Sequence, residues 1–208
     1  MNQVKIIFFD IDGTLLEMGK TEITPNTRKA LCSLKQNGIK ICIATGRPFV
    51  TIPMFEGIVF DAILAFNGSF CVAGDQVVAK CPIPKEDIEI IIENAKRMER
   101  PVSIATAEEI VANGSDKDLE DYFAIAHHRV NVSEKFEEYV DKDVFQIMLG
   151  CDLEERKYIL KGTKNAKLAA WWDRAIDIIP KEGGKGAAIE QVLAHYKFSK
   201  EEAIAFGD

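Results

Sequence analysis

The chain has no stretch in which lysine and arginine are concentrated, although 26 of its 208 residues are basic. Its 33 acidic residues give it a formal net charge of −7. A surface that binds nucleic acid or an anionic membrane needs clustered positive charge. We therefore expect that neither of these is a main partner.

Cysteine is sparse, and its spacing does not suggest pairing. The five cysteines are an odd number, and no two of them form a CxxC motif, whereas a disulfide framework usually has an even set. The N-terminal stretch MNQVKIIFFD has only four consecutive apolar residues, too few for the core of a signal peptide. No uninterrupted apolar run approaches the length of a membrane span. We expect a cytoplasmic protein.

The first third of the chain has the pattern of a parallel α/β sheet. Thr24 is a good N-cap, Pro25 suits the first position of a helix, and Gly38 is typical of a helix end. This helix separates the first two of three apolar segments that we predict to be buried strands, Val4–Phe9, Ile39–Ala44 and Ala62–Phe66. A strand, a helix and a strand in succession imply parallel pairing with a right-handed crossover.

From about residue 82 the pattern changes to short strands and helices. Residues 82–100 form an amphipathic helix pattern with one apolar stripe. Strands are predicted at 102–105, 109–112, 145–149, 167–172 and 176–179, and helices at 117–126 and 153–160. This composition is typical of an α+β module with a mostly antiparallel sheet. We predict a core from residues 1–81, an inserted module from 82–181, and a return to the core from 182–208.

The first predicted strand leads into two acidic residues. Asp10 and Asp12 follow it one residue apart, and Gly13 supplies the backbone freedom for a sharp turn. Ligands of open parallel sheets bind beyond the carboxyl ends of the strands. Two carboxylates this close repel each other unless a cation or a shared proton compensates them. Mg²⁺ suits such oxygens together with a substrate phosphate, and a plain turn at the end of a strand is the alternative interpretation.

Two further strand ends carry groups that suit phosphate. In ATGR, Thr45 offers a hydroxyl, Gly46 an open N–H, and Arg47 a bidentate guanidinium. In FNGS, Asn67 follows the third predicted strand. The alternatives are a surface arginine at the start of a helix for Arg47, and an asparagine that only stabilises a turn for Asn67.

The last fifth of the chain carries two further charged residues that suit a phosphate or a metal ion. Lys185 in GGKG lies near a predicted helix N-terminus, where an anion is favoured, and a solvated lysine is the alternative. The final predicted strand, residues 203–206, leads into Asp208. The run His127–Arg129 is better interpreted as a polar loop after a helix than as a site. The pair Trp171–Trp172, predicted to lie on a strand, would point to opposite faces of its sheet.

Four motifs in this order resemble those of the haloacid dehalogenase superfamily of phosphohydrolases, in particular its Cof-like group with a C2-type cap. They are DIDGTLL, ATGR, GGKG and GD. The resemblance covers essentially the whole chain and implies an α/β fold, with a Rossmann-like parallel sheet and an inserted α+β cap domain. The family continues after GD with a loop, a helix and further strands, so the resemblance implies that the C-terminal part of the core is missing here.

The resemblance also implies a mechanism and a set of site residues. Asp10 is the expected nucleophile that forms an aspartyl-phosphate, Asp12 the expected general acid and base, and Lys185 the cation that offsets the repulsion between anions. The implied metal ligands for Mg²⁺ are Asp10, Asp12 (through its backbone carbonyl) and Asp208. The implied phosphate-binding residues are Thr45, Gly46 and Lys185, and the implied substrate-binding residues are Arg47 and Asn67.

The expected function is a Mg²⁺-dependent phosphatase for small phosphorylated metabolites, such as sugar phosphates or nucleotide-like cofactors. Two alternatives remain open from the sequence. One is a phosphomutase of related fold, which would return the phosphoryl group to a sugar and depend on a bisphosphate. The other is a shortened, non-catalytic relative that only binds phosphate compounds.

Overall fold

The computed structural model describes residues 3–17, 19–170 and 172–207. The chain divides into two compact units, Met1–Lys80 together with Gly183–Asp208, and Cys81–Glu182. The second unit therefore interrupts the first in sequence, as an inserted module does. Among the described residues, no helix is both long and apolar enough to cross a membrane.

The regular elements are short and alternate along the chain. The strands are β1 (Ile6–Phe9), β2 (Lys40–Ala44), β3 (Ala62–Ala65), β4 (Phe70–Ala73), β5 (Gln76–Lys80), β6 (Ser103–Ala105), β7 (Ile110–Ala112), β8 (Gln146–Gly150), β9 (Ala166–Ala169), β10 (Ala175–Pro180) and β11 (Ala203–Phe206). The α-helices are α1 (Pro25–Gln36), α2 (Lys85–Arg97), α3 (Lys117–Ile125), α4 (Phe136–Val140), α5 (Arg156–Ile159) and α6 (Lys185–Tyr196).

The first unit contains a six-stranded sheet in the order β11-β1-β2-β3-β4-β5. The first four of these strands are parallel, and β4 and β5 add an antiparallel hairpin. The predicted α/β fold with a parallel sheet is confirmed, and the sheet as a whole is mixed. The hairpin was not predicted, although Gly74 and Asp75, the two residues between its strands, are a recognised hairpin signal.

The central strands of this sheet are buried on both faces, which is why they appear in the sequence as apolar runs. In β2, Cys42 and Ala44 pack in the cluster that includes residues of α6, whereas Ile41 and Ile43 pack in the cluster that includes Leu31 of α1. Helices therefore cover both faces, and the carboxyl ends of the parallel strands stay free to carry the loops of the site.

The predicted beginning of α1 is confirmed in detail. Thr24 is the N-cap, its hydroxyl accepts a hydrogen bond from the Thr27 N–H at 3.1 Å, and Pro25 is the first helical residue. The helix ends at Gln36, and Gly38 follows with a φ of +76°. A left-handed residue just after a helix is a conformation that glycine adopts without steric cost.

The second unit contains a five-stranded, fully antiparallel sheet in the order β7-β6-β8-β10-β9. One face packs into a hydrophobic core that includes Ile147 of β8 and Ile178 of β10. On the other face, Tyr122 of α3 donates a hydrogen bond to Asp177 at 2.5 Å. The predicted α+β module with an antiparallel sheet therefore agrees with the structure. That this unit covers the site of the first unit stays a prediction.

Two of the predicted strands extend past the ends that the structure shows. The strand predicted at 167–172 ends at Ala169. Trp172 lies beyond it, stacked on Tyr122 with 6.2 Å between ring centroids, and Trp171 lies outside the described residues. The strand predicted at Ala62–Phe66 ends one residue early, because Phe66 has a φ of +50°. In both places the run of apolar residues continues past the strand, so the sequence pattern overestimated its length.

Candidate active site

The two acidic residues predicted as the centre of the site lie in a tight turn that follows β1. The Asp10 N–H donates to the Phe206 carbonyl of β11 at 2.9 Å, which extends the pairing of β1 and β11 up to the first acid. Gly13 has a φ of +75°, and its N–H donates to the Leu16 carbonyl at 2.9 Å. The chain reverses here, which places Asp10 and Asp12 at the carboxyl edge of the sheet.

Lys185 meets Asp10 in the described structure. Its Nζ lies 2.5 Å from Asp10 Oδ2, and the other carboxylate oxygen accepts the Ile11 N–H at 2.8 Å. The two side chains are 35% and 17% exposed, so this ion pair is partly shielded from water. Because Lys185 is the first residue of α6, the helix N-terminus also lies on the side of the carboxylate.

Arg47 holds the second acid. Its Nε lies 2.8 Å from Asp12 Oδ2 and its Nη2 lies 2.6 Å from Asp12 Oδ1, a bidentate fork. This hydrogen bonding raises the pKa of the Arg47 guanidinium above its ordinary value, against the opposing effect of burial. Each of the two carboxylates is therefore paired with a cation of its own. These two ion pairs compensate the repulsion that we predicted between the carboxylates.

The loop after β2 carries a buried hydroxyl and, among the described residues, a main-chain N–H without a hydrogen-bond partner. The Thr45 side chain is fully buried, and its Oγ1 accepts the Arg47 N–H at 3.2 Å. No hydrogen-bond partner for the Gly46 N–H is present within the described ranges. A methyl group built on Gly46 would lie 3.2 Å from Asn67 Oδ1, so the Asn67 amide lies directly against this glycine.

The remaining predicted residue, Asp208, lies outside the described residues. Its neighbour Gly207 is close to the site, since a methyl group built there would lie 3.8 Å from Asp10 Cβ. The structure thus brings predicted residues from the ends of three strands, β1, β2 and β3, and from the beginning of α6 into one region of the first unit. Asp10, Asp12, Thr45, Gly46, Arg47, Asn67 and Lys185 belong to this group.

Gly68, which the sequence analysis noted only as part of FNGS and without a role, is a structurally constrained residue. A methyl group built on it would lie 2.6 Å from Ala188 Cβ and 2.7 Å from the Gly184 carbonyl oxygen, and its φ is +90°. Both facts require glycine at this position. The signal in the sequence is the glycine of FNGS itself, but the sequence does not say what packs against it.

Part of the donor set suits Mg²⁺. Across the part of the chain that the structure describes, no group of three or more His, Cys, Asp or Glu residues could hold a metal ion. Mg²⁺ nevertheless keeps several water ligands and needs only one or two protein carboxylates. The carboxylate of Asp10 offers hard oxygens of the kind such an ion binds, although Oδ2 is paired with Lys185 and Oδ1 accepts the Ile11 N–H. Both side-chain oxygens of Asp12 are paired with Arg47. A contribution from Asp12 would thus come from its backbone carbonyl.

Comparison with known proteins agrees with this arrangement. The profile of the haloacid dehalogenase-like hydrolase family matches residues 7–208. The Bacillus subtilis protein named "Putative phosphatase YkrA" is 31% identical over 207 residues, which are 98% of this chain and 79% of the relative. The 5-amino-6-(5-phospho-D-ribitylamino)uracil phosphatase YitU of the same organism is 26% identical, with 98% of this chain and 79% of the relative covered.

Solved structures show the same likeness. The structure of the HAD subclass IIB sugar phosphatase BT4131 superposes with a TM-score of 0.83 at 26% identity, with 99% of this chain and 81% of that chain covered. A protein from Geobacillus kaustophilus superposes with a TM-score of 0.85 at 31% identity over 99% of this chain and 80% of that chain. The predicted class of phosphoric monoester hydrolase agrees with the relatives named as phosphatases. The chain therefore belongs to the haloacid dehalogenase-like hydrolases.

Proposed function

We propose that this protein is a cytoplasmic, Mg²⁺-dependent phosphatase that hydrolyses small phosphorylated metabolites through an aspartyl-phosphate on Asp10. The observation that carries the proposal is the 2.5 Å contact between Lys185 Nζ and Asp10 Oδ2. This contact supports the proposal because it joins the carboxylate proposed as the nucleophile to an ammonium at the carboxyl edge of the sheet, where ligands of such folds bind.

In the first step, a carboxylate oxygen of Asp10 attacks phosphorus and the bond from phosphorus to the leaving oxygen breaks. An aspartate is ionised at neutral pH and needs no base to activate it. Its obstacle is the negative charge of the phosphoryl group. The ammonium of Lys185 offsets this repulsion and stabilises charge on the phosphoryl oxygens.

Asp12 is the proposed proton carrier. It gives a proton to the departing alkoxide and later takes one from the water that attacks phosphorus, so that Asp10 is released unchanged. In the described structure Asp12 is held in a fork by Arg47. Asp12 therefore has to leave this ion pair before it can carry a proton.

Arg47 is then free to bind the substrate. A guanidinium fork binds carboxylate and phosphate oxygens with the same geometry, so Arg47 can exchange Asp12 for phosphoryl oxygens. Thr45 Oγ1 and the Gly46 N–H are the proposed donors to the same group. Asn67, whose amide lies against Gly46, borders the space that the phosphoryl group would occupy.

The proposed Mg²⁺ ligands are the Asp10 carboxylate, the Asp12 backbone carbonyl and Asp208. When bound, the ion supplies positive charge that neutralises the phosphoryl oxygens. In the proposal Asp12 carries every proton that is transferred, and Asp10 forms the covalent bond to phosphorus.

The proposed substrates are sugar phosphates or nucleotide-like cofactors. Two relatives support this class by name, one as a sugar phosphatase and one as a phosphatase of a phosphorylated ribitylaminouracil. The choice among them is proposed to depend on the second unit acting as a cap. In this proposal the first unit supplies the reacting groups, and the second unit supplies the residues that distinguish one substrate from another.

The test is phosphate release from p-nitrophenyl phosphate and from a panel of sugar phosphates and phosphorylated nucleoside-like compounds. The proposal expects turnover with Mg²⁺, no turnover in excess EDTA, and recovery when Mg²⁺ is returned. The Asp10→Asn variant should be inactive while its thermal unfolding midpoint stays close to that of the parent. Full activity in EDTA, or in Asp10→Asn, contradicts the proposal.

A further inference from the structure

The segment Phe66–Gly68, here called the 66–68 turn, has an unusual backbone. Phe66 and Asn67 have φ angles of +50° and +55°, and Gly68 has a φ of +90°. Non-glycine residues with positive φ are uncommon, and a bulky residue there is an outlier. Such conformations persist only where the surrounding structure holds them, and they cluster at functional sites.

On one side, the 66–68 turn is bonded to the proposed phosphate-binding loop. The Phe66 N–H donates to the Arg47 carbonyl at 3.0 Å, and the Asn67 N–H donates to the Thr45 carbonyl at 2.9 Å. The amide of Asn67 lies against Gly46, with its Oδ1 and Nδ2 3.2 Å and 3.3 Å from the place of an added methyl group. The main chain of the turn is thus hydrogen-bonded to residues 45–47, and its Asn67 side chain packs against them.

On its other side, the 66–68 turn touches the beginning of α6. A methyl group on Gly68 would lie 2.7 Å from the carbonyl oxygen of Gly184, the N-cap residue, and 2.6 Å from Cβ of Ala188. Lys185, whose ammonium meets Asp10, follows Gly184 directly. The turn therefore fills the space between the loop at 45–47 and the helix end that carries Lys185.

We propose that the 66–68 turn sets the distance between the phosphate-binding loop and Lys185, and that Asn67 is a positioning residue that keeps Gly46 in place. The inference rests on the proposed function, since it is phosphoryl transfer that needs these groups at a fixed separation. Groups that stabilise a transferring phosphoryl group work only when they are held in place beforehand. Close-packed backbone transmits small displacements instead of absorbing them. Because the 66–68 turn is packed between the loop at residues 45–47 and the N-terminus of α6, it fixes the distance between them.

A substrate contact alone would not explain these features. A side chain that only touches the substrate does not require its neighbours at positions 46 and 68 to lack side chains. Here the space at Gly46 is taken up by the Asn67 amide, and the space at Gly68 is taken up by Gly184 and Ala188. Phe66 is fully buried, so its positive φ is part of the course of the backbone through the 66–68 turn.

The first test is a cycle of Gly46→Ala, Asn67→Gly and the double variant, measured as kcat/KM for p-nitrophenyl phosphate. Alone, Gly46→Ala should lower kcat/KM about tenfold, because its methyl group has to displace the Asn67 amide. In the Asn67→Gly background the same change should cost less than about twofold, because the amide is gone. Equal losses in both backgrounds overturn the proposal.

A second comparison addresses the side that faces α6. Gly68→Ala should lower kcat about tenfold or more with a smaller change in KM, because the displaced Lys185 acts on the transition state. Gly74→Ala is the matched control. Gly74 also has a positive φ, +56°, but an added methyl group there meets nothing within 4 Å. The proposal is overturned if both variants lose the same factor in kcat.

A readout without catalysis separates this inference from the proposed function. If the parent chain releases no phosphate, the proposed function fails, and the backbone amide resonances of Gly46 and Lys185 decide the inference. Asn67→Gly should shift both resonances, since the turn touches both supports, whereas Gly74→Ala should shift neither. If Asn67→Gly leaves the Lys185 resonance unchanged, the proposal is overturned. This result does not depend on whether Gly68→Ala folds.

Discussion

Replacing Lys185 by methionine removes the ammonium from Asp10 and keeps most of the side-chain length. At 2.5 Å, two unit charges in a medium of effective dielectric constant about 20 attract each other by about 7 kcal/mol. This value is an upper limit for the resting enzyme, because the two side chains are 35% and 17% exposed and water screens the pair. Only an interaction that is stronger in the transition state than in the ground state raises kcat. The expected loss is therefore that of one preorganised group at the reacting centre, about 100- to 1000-fold in kcat, or about 3–4 kcal/mol.

The assay is kcat and KM for p-nitrophenyl phosphate at saturating Mg²⁺, with the unfolding midpoint measured beside it. Lys200→Met is the matched control, since Lys200 Nζ lies equally close, 2.5 Å, to Glu190 Oε1 but both side chains are well exposed, 72% and 58%. We expect Lys200→Met to keep the parent kcat. The reasoning is refuted if Lys185→Met keeps more than about a third of the parent kcat, or if both variants lose the same factor.

Three further predictions concern stability and thiol chemistry. Thr24→Ala removes the N-cap hydrogen bond of α1 and should lower the free energy of unfolding by about 1 kcal/mol in urea denaturation. Asp87 is 3% exposed and accepts two main-chain N–H groups, so Asp87→Ala should cost about 2–3 kcal/mol, and a loss below about 0.5 kcal/mol would contradict its role. Burial raises the pKa of Cys42, Cys71 and Cys151 to about 12. Ellman's reagent at about pH 8 should therefore titrate only the two partly exposed cysteines before denaturant is added, and fast reaction of all five would show that the buried thiols are accessible.

The parallel part of the fold could be predicted because its strands and helix carry independent signals. Ile41 and Ile43 face one helix layer and Cys42 and Ala44 the other, and such two-sided burial gives a continuous apolar run in the sequence. The β4–β5 hairpin was missed although its strands contain the short apolar runs FCVA and VVA. Runs of three or four apolar residues are ambiguous by themselves, and β5 is largely exposed, so the pattern does not mark it as a buried strand.

The site could be predicted as a set of residues but not as a set of contacts. Each predicted residue follows a strand or begins a helix, and parallel topology alone brings such ends to one edge. The sequence does not say which cation pairs with which acid, and the fork of Arg47 on Asp12 was not foreseen. The close packing of Gly68 against Gly184 and Ala188 was not predicted either, because it joins two segments that are more than a hundred residues apart in the chain.

The most direct test of the account is to trap the phosphorylated enzyme. The protein is mixed with substrate and Mg²⁺, quenched in acid within milliseconds, digested, and analysed by mass spectrometry for a phosphorylated peptide. The account predicts a phosphoryl group on Asp10, absent without substrate and absent in Asp10→Asn. A phosphoryl group on any other residue, or steady turnover with no trapped phosphoenzyme under conditions where its hydrolysis limits the rate, would contradict it.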